Sequence, residues 1–229
     1  MFWSLMGLGF LVGLRHALDL DHVAAVASIT SQLKDLRLSI RHGLTWGLGH
    51  TLTLFLFSLL VLLVDTIVPE TLANGLEFVV GAMLVLLGLD VLRRVKRQRL
   101  HIHVHRHDDR PEHAHFHTHE HGESHHHMHP PLWRTLVVGL VHGMAGSAAL
   151  ILLTLSTVDS LEVGLFYILC FGLGSMIGMG LLSVAMSLPF LLTEGRLAHL
   201  QYGLQNAVGV GTVIFGGVVM WEAGSVWIG

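Results

Sequence analysis

The stretch Arg15-His16-Ala17-Leu18-Asp19-Leu20-Asp21-His22 places two imidazoles and two carboxylates within eight residues. Imidazole nitrogen and carboxylate oxygen are the donor set of a divalent transition-metal site. The stretch is flanked by Phe2–Leu14 and Val23–Ile29, neither of which carries a charge. A charged side chain at the centre of a bilayer costs about 2.5–3.5 kcal/mol, so ionisable residues at that depth mark ion or substrate pathways. His16, Asp19 and His22 are three apart and climb one side of a helix as a slowly drifting stripe. Asp21 points elsewhere on a regular helix. It therefore either orients a ligating imidazole from behind or marks a place where the helix unwinds. A ligating histidine donates its other N–H to a carboxylate or carbonyl, which fixes its tautomer. Arg15 would offset one carboxylate. A salt-bridge cluster that only locks helix packing is the plainer alternative, but apolar packing would do that at lower cost.

His50 and His142 lie in two further apolar segments. A single intramembrane histidine is as readily a hydrogen-bond donor to a neighbouring helix as a ligand. Ser147 would add a hydroxyl one turn after His142. Thr51 and Thr53 are read as bonding back to helix carbonyls. Met144, Met176 and Met179 are read as packing rather than as soft ligands.

The elements that must position these groups are membrane spans. Hydrophobic residues make up 52% of the 229-residue chain and charged residues 13%, with a mean hydropathy of +0.64, well to the apolar side of soluble domains. Six apolar segments of spanning length can be read, at about 2–31, 43–64, 72–92, 132–157, 161–192 and 203–227. The first and fifth are long and expected to be interrupted. The N-terminus is expected to be a retained span rather than a cleaved signal peptide. Trp3, Trp133, Trp221 and Trp227 lie near span ends, as interfacial aromatics do. One cysteine, Cys170, excludes a disulfide framework or thiolate cluster within one chain. Lys34, Arg37 and Arg41 follow span one, the group from Arg93 to Arg110 together with Arg134 surrounds the connection after span three, and Arg196 follows span five. The other two connections carry no Lys or Arg. The positive-inside rule then predicts both termini outside and the connection after span three in the cytoplasm.

The two halves match in order at an offset of about 126 residues. Gly13-Leu14-Arg15-His16 aligns with Gly139-Leu140-Val141-His142, Trp46–His50 with Phe171–Ser175, and Val80-Gly81 with Val208-Gly209. Three spans per half is an odd number, so the second half must be inverted. Inverted repeats with broken helices are a transporter architecture, with the site near midplane at the repeat interface. The expected fold is thus an all-α polytopic membrane protein of six transmembrane helices: a first three-helix repeat over 1–96, a histidine-rich cytoplasmic loop over 97–131 and a second repeat over 132–229. His16 and His142 are repeat mates, and Ser175 is the mate of His50. The three histidines converge if the repeats pack face to face. Gly9/Gly13, Gly139/Gly143 and Gly174/Gly178 are small-xxx-small pairs that permit close helix approach.

The loop holds 13 of the 19 histidines: His101, His103, His105, His107, His113, His115, His117, His119, His121, His125, His126, His127 and His129. Alternating imidazoles in a polar, low-complexity segment suit collection or buffering of metal cations. A tether without a specific role is the plainer reading.

The stretch from Arg15 to His22 resembles the H-x4-D-H signature of the nickel/cobalt transporter (NiCoT, NicO) family. Leu48-Gly49-His50-Thr51 is similar to that family's Gly-His-Ser/Thr motif. The resemblance covers most of the chain apart from the loop. It implies that His16, Asp21 and His22 handle metal, with His50 supporting them. Full-length members have eight spans and a cytoplasmic N-terminus, and the first of those spans has no counterpart here. Their Asp-Thr-Ala-Thr-Glu motif is replaced by the segment from His142 to Ser147, so no acidic ligand carries over to span four. In both respects the chain is similar to the shorter, urease-associated branch. A histidine-rich cytoplasmic loop is also a feature of the family's efflux branch, which leaves direction open.

These readings lead to a secondary transporter of Ni2+ or Co2+ in the bacterial plasma membrane, working in uptake by alternating access. The expected metal residues are His16, Asp19, Asp21, His22, His50 and His142, supported by Arg15, Ser147 and Ser175. The ion is substrate, and no prosthetic group is expected. The partners are the divalent ion, the lipid bilayer and a candidate cytoplasmic metallochaperone, with no nucleic acid; the residues fix no oligomeric state. The alternatives are Ni/Co efflux, Zn2+ transport, and a membrane metal sensor or storage module. The sequence has no G-x4-G-K-[ST] loop of an ATPase and no H-E-x-x-H of an intramembrane metalloprotease, so no enzyme activity is expected.

Overall fold

The computed structural model describes residues 2–33, 35–64, 69–99, 131–145, 160–193 and 198–227. Within them the chain forms seven helices: α1 (Phe2–His16), α2 (Leu20–Thr30), α3 (Leu36–Val64), α4 (Glu70–Arg99), α5 (Leu132–His142), α6 (Leu161–Leu192) and α7 (Ala198–Ser225). Four of them, α3, α4, α6 and α7, are long and apolar enough to cross a membrane. The protein is an all-helical, multi-pass membrane protein. In lipid each backbone polar group must find its partner within the segment, which is why these apolar runs are helical despite their many glycines.

The first expected span is two helices. After His16 the backbone tightens: the N–H groups of Leu18 and Asp19 reach back three residues, to the carbonyls of Arg15 and His16. Asp19 then turns extended (φ −62°, ψ 146°) and α2 begins. α5 also stops at a histidine, His142, followed by turn residues 143–145. The second part of the fourth expected span, including Ser147, lies outside the described residues, as does the histidine-rich stretch 101–129. The fifth span, expected to be interrupted, is instead a single helix from Leu161 to Leu192. Pro189 falls in its last turn, where the lost hydrogen bond interrupts nothing further along. Ser160 caps its other end by accepting the N–H of Val163 at 3.3 Å. α3 begins earlier than hydropathy alone suggests, because Asp35 accepts the N–H of Arg37 at 3.0 Å and starts the helix before the apolar run.

Glycines set the packing. α1 lies along α6, α3 along both α6 and α5, and α4 along α7. A Cβ built at Gly13 would fall on the carbonyl of Phe171, and one at Gly139 on the carbonyl of Trp46. Gly49 abuts Leu136 and Leu140, while Gly174 abuts Phe10 and Leu14. Gly81 meets Gly216, and Gly88 meets Gly209. α2 sits centrally, touching α3, α4, α6 and α7. Ser28 Oγ on α2 is 3.0 Å from Thr212 Oγ1 on α7, and the Gln205 amide donates to the carbonyl of Ser31 at 2.8 Å. The apolar core gathers beneath the α1–α2 break, around Ala17, Ala25, Val26, Trp46, Leu84 and Met179.

Candidate metal centre

The break between α1 and α2 positions four polar side chains. His16 ends α1, Asp19 lies in the turn, and Asp21 and His22 open α2. α3 brings His50 against them and α5 brings His142. All four histidines are buried. The ring of His22 is central: its centroid lies 4.5 Å from that of His16, 5.0 Å from His50 and 4.4 Å from His142.

The carboxylates fix which nitrogens remain available. His16 Nδ1 is 2.7 Å from Asp19 Oδ2, and His22 Nδ1 is 2.9 Å from Asp21 Oδ1. An ionised carboxylate only accepts, so each Nδ1 carries the proton and donates. The lone pair of each ring then sits on Nε2. Both of these Nε2 atoms are buried without a hydrogen-bond partner, and so are both nitrogens of His50. One nitrogen from each of His16, His22 and His50 lies within 4.8 Å of the others. Three neutral imidazoles with their lone pairs turned toward one point are a ligand set for a borderline divalent cation.

Asp21 joins the two parts of the cluster. Its Oδ1 accepts the Nδ1–H of His22 and also, at 2.9 Å, the backbone N–H of His22, one of the donors left open at the start of α2. Its Oδ2 accepts the Nε2–H of His142 at 2.9 Å. Asp21, His22 and His142 form a second group compact enough for a metal ion. Asp21 is therefore off the stripe of His16, Asp19 and His22, and the helix is also broken beside it.

The remaining expected residues fall as follows. Arg15 is exposed and makes no ion pair with Asp19 or Asp21 among the described residues; the imidazoles take the carboxylates instead. Ser175 is fully buried on α6, one turn beyond Phe171, whose ring lies 5.3 Å from that of His16. Ser147 and the histidines of 101–129 lie outside the described residues. Two apolar walls were not singled out from the sequence: Phe171, and Trp46, whose ring stands 5.3 Å from His22 and 5.4 Å from His142. The available signal was spacing, since Trp46 is one turn from His50 on α3.

No solved structure matches the chain. It is 34% identical over 221 residues to the urease accessory protein UreH of Bacillus sp. (strain TB-90), covering 96% of this chain and 92% of that one. A shorter match, 41% identical over 66 residues, joins 28% of the chain to 19% of the high-affinity nickel transport protein of Cupriavidus necator. The family model of the NicO high-affinity nickel-transport proteins matches residues 2–198. With its membrane helices and its buried histidine cluster, the chain belongs to the NicO family.

Proposed function

We propose that this protein is a secondary transporter that carries Ni2+, and Co2+ as a close chemical relative, into the bacterial cytoplasm. One observation carries the reading: buried, unpartnered nitrogens of His16, His22 and His50 converge where a helix breaks within the apolar part of the fold. The hydrated ion exchanges water for these three imidazoles. Asp19 and Asp21 hold the imidazole N–H groups and supply two negative charges against the two positive charges of the ion. This balance lowers the cost of bringing the ion to membrane depth. His142 is tied to the same carboxylate as His22 and couples the site to α5.

The movement we propose is rocking of two inverted three-helix repeats about this site. Reciprocal contacts support it. With His16 matched to His142 and Trp46 to Phe171, the Gly13–Phe171 contact exchanges with Gly139–Trp46. Likewise Gly49 on Leu136 and Leu140 exchanges with Gly174 on Phe10 and Leu14, and Gly81–Gly216 exchanges with Gly88–Gly209. The reading keeps the six spans expected from hydropathy, with 132–157 as the fourth. The distribution of Lys and Arg puts the termini outside and 101–129 inside, where its histidines would receive the ion and pass it on to a cytoplasmic metallochaperone.

The test is uptake of radiolabelled Ni2+ by proteoliposomes holding the full chain. His22→Ala and His50→Ala are expected to reduce uptake to the protein-free background. Wild-type flux through both variants would overturn the site. Lower Ni2+ accumulation in cells that express the wild-type protein would reverse the direction to efflux.

A further inference from the structure

One imidazole of the histidine cluster lacks an acceptor for its proton. The ring N–H groups of His16, His22 and His142 each meet a carboxylate oxygen. Both nitrogens of His50 are buried with no hydrogen-bond partner among the described residues. A neutral imidazole carries a proton on one nitrogen and a lone pair on the other. When one nitrogen of His50 takes a metal ion, the other is an N–H, and a ligating histidine donates that N–H to an oxygen.

A buried oxygen without a partner lies on α6. Ser175 is 0% exposed, and its Oγ makes no hydrogen bond among the described residues. Serines in helices commonly bond back to their own backbone. Ser183 and Ser187 on the same helix do so, to the carbonyls of Met179 and Val184 at 2.8 and 2.9 Å. Contacts between α3 and α6 place Ser175. Thr51 Oγ1 donates to the carbonyl of Gly172 at 3.0 Å, across to α6 rather than to its own helix, and a Cβ built at Gly47 would fall 2.8 Å from the Cα of Met176. The pairing of 51 with 172 and 47 with 176 makes the two helices antiparallel. With Trp46–His50 matched to Phe171–Ser175, as above, each of these contacts exchanges with the other. The twofold axis relating the repeats then passes through the crossing and leaves His50 and Ser175 on the same face of the helix pair. His50 meets the rings of His16 and His22 from that face. The neighbours of Ser175 agree. Phe171, one turn before it, stands 5.3 Å from the His16 ring, and Met179, one turn after it, packs in the core with Ala17 and Trp46. His50 is level with position 173, so Ser175 is about 3 Å away along the helices.

We infer that Ser175 is the positioning residue of His50: its hydroxyl oxygen accepts the His50 N–H when the opposite nitrogen holds the ion. His50 and Ser175 do not bond in this structure, and a turn of the imidazole about its side-chain bonds closes the pair. Each imidazole of the site then has an oxygen that fixes its proton. A hydroxyl is a neutral acceptor and makes a weaker hydrogen bond than the ionised Asp19 and Asp21. It sets the tautomer of His50 without adding a third negative charge to a site that must release a dication. The inference rests on the metal-site reading proposed above.

The experiment is a Co2+ titration of the purified full chain, read by its visible absorption, paired with thermal unfolding in detergent without metal. The absorption that His50→Ala removes belongs to the cluster; the histidines of 101–129 are common to every variant and cancel in that difference. In Ser175→Ala the same band is expected at the same wavelength, with about tenfold more Co2+ needed to half-fill it, the lower end of the effect of losing the partner of a metal-binding histidine. Unfolding without metal is expected to match wild type, because the hydroxyl removed makes no hydrogen bond there. Ser187→Ala, which removes a back-bonded hydroxyl from the same helix, is expected to leave the titration unchanged. Wild-type half-filling in Ser175→Ala overturns the inference. Weaker binding with a shifted band also overturns it, because the hydroxyl would then be a ligand itself. Weaker binding with a lowered metal-free unfolding temperature does the same, because Ser175 would then support helix packing. Failure of the metal-site reading shows separately: His50→Ala would leave the whole wild-type absorption in place, and both readings would fall.

Discussion

At the scale of the residue, Asp21 combines three tasks in one carboxylate. It caps the first turn of α2, holds the proton of His22 on Nδ1 and holds the proton of His142 on Nε2. Asp21→Asn keeps the size but replaces one acceptor oxygen with a donor NH2. Whichever way the amide turns, one imidazole N–H then faces another N–H, and that ring must change tautomer or move. The substitution also removes one of the two charges that offset the ion. Affinity for Ni2+ or Co2+ is expected to fall about 10–100-fold, the usual effect of removing the group that orients a metal-binding histidine, as measured by titration of the purified protein. Asp19→Asn is expected to cost less. Asp19 makes a single bond to His16, and its side chain is 52% exposed, so water can replace it. Equal losses at the two positions would mean that net charge alone, and not tautomer control, is what the carboxylates supply.

At the scale of the element, the sequence told much about where helices lie and less about where they stop. The motif from Arg15 to His22 was legible as a costly cluster at depth, and the off-stripe position of Asp21 already hinted at a break. The break itself involves tertiary partners: Asp21, in the first turn of α2 just after the break, has its second oxygen met by His142, over a hundred positions away. The continuity of α6 was not legible for the opposite reason. Gly172, Gly174, Gly178 and Gly180 lower helix propensity in water, but in lipid the backbone has no alternative partner. Those glycines serve close approach instead, as at Gly174 against Phe10 and Gly178 against Ala17. Gly139→Ala therefore has a sign that propensity alone would get wrong. Its Cβ would fall on the Trp46 carbonyl, and overpacking of this kind costs about 1–3 kcal/mol. Thermal unfolding in detergent is expected to shift down for Gly139→Ala and to stay level or rise for Gly211→Ala, where nothing lies within 4 Å. Equal shifts at both positions would show that the α3–α5 crossing is looser than its backbone contacts indicate.

At the scale of the whole molecule, the proposed path fixes what drives the ion. The chain contributes its two carboxylates permanently, and the imidazoles bind in neutral form, so a transport cycle with no counter-ion moves two positive charges. An inside-negative potential of 100 mV favours that movement by about 2 × 2.3 kcal/mol. At 1.36 kcal/mol per factor of ten, this is enough for an accumulation ratio on the order of 10^3. Proteoliposomes loaded with K+ and treated with valinomycin impose such a potential without any proton gradient. Accumulation of Ni2+ is expected to rise well above equilibration under the imposed potential and to relax to a ratio of one when the potential is collapsed. Both orientations of the protein in the vesicle give this result, since a carrier without coupling runs toward the same equilibrium from either side. Accumulation that ignored the potential and followed an imposed pH gradient instead would require proton exchange within the cycle. The imidazole–carboxylate pairs at the α1–α2 break would then have to exchange protons as the ion binds and leaves, rather than hold them fixed.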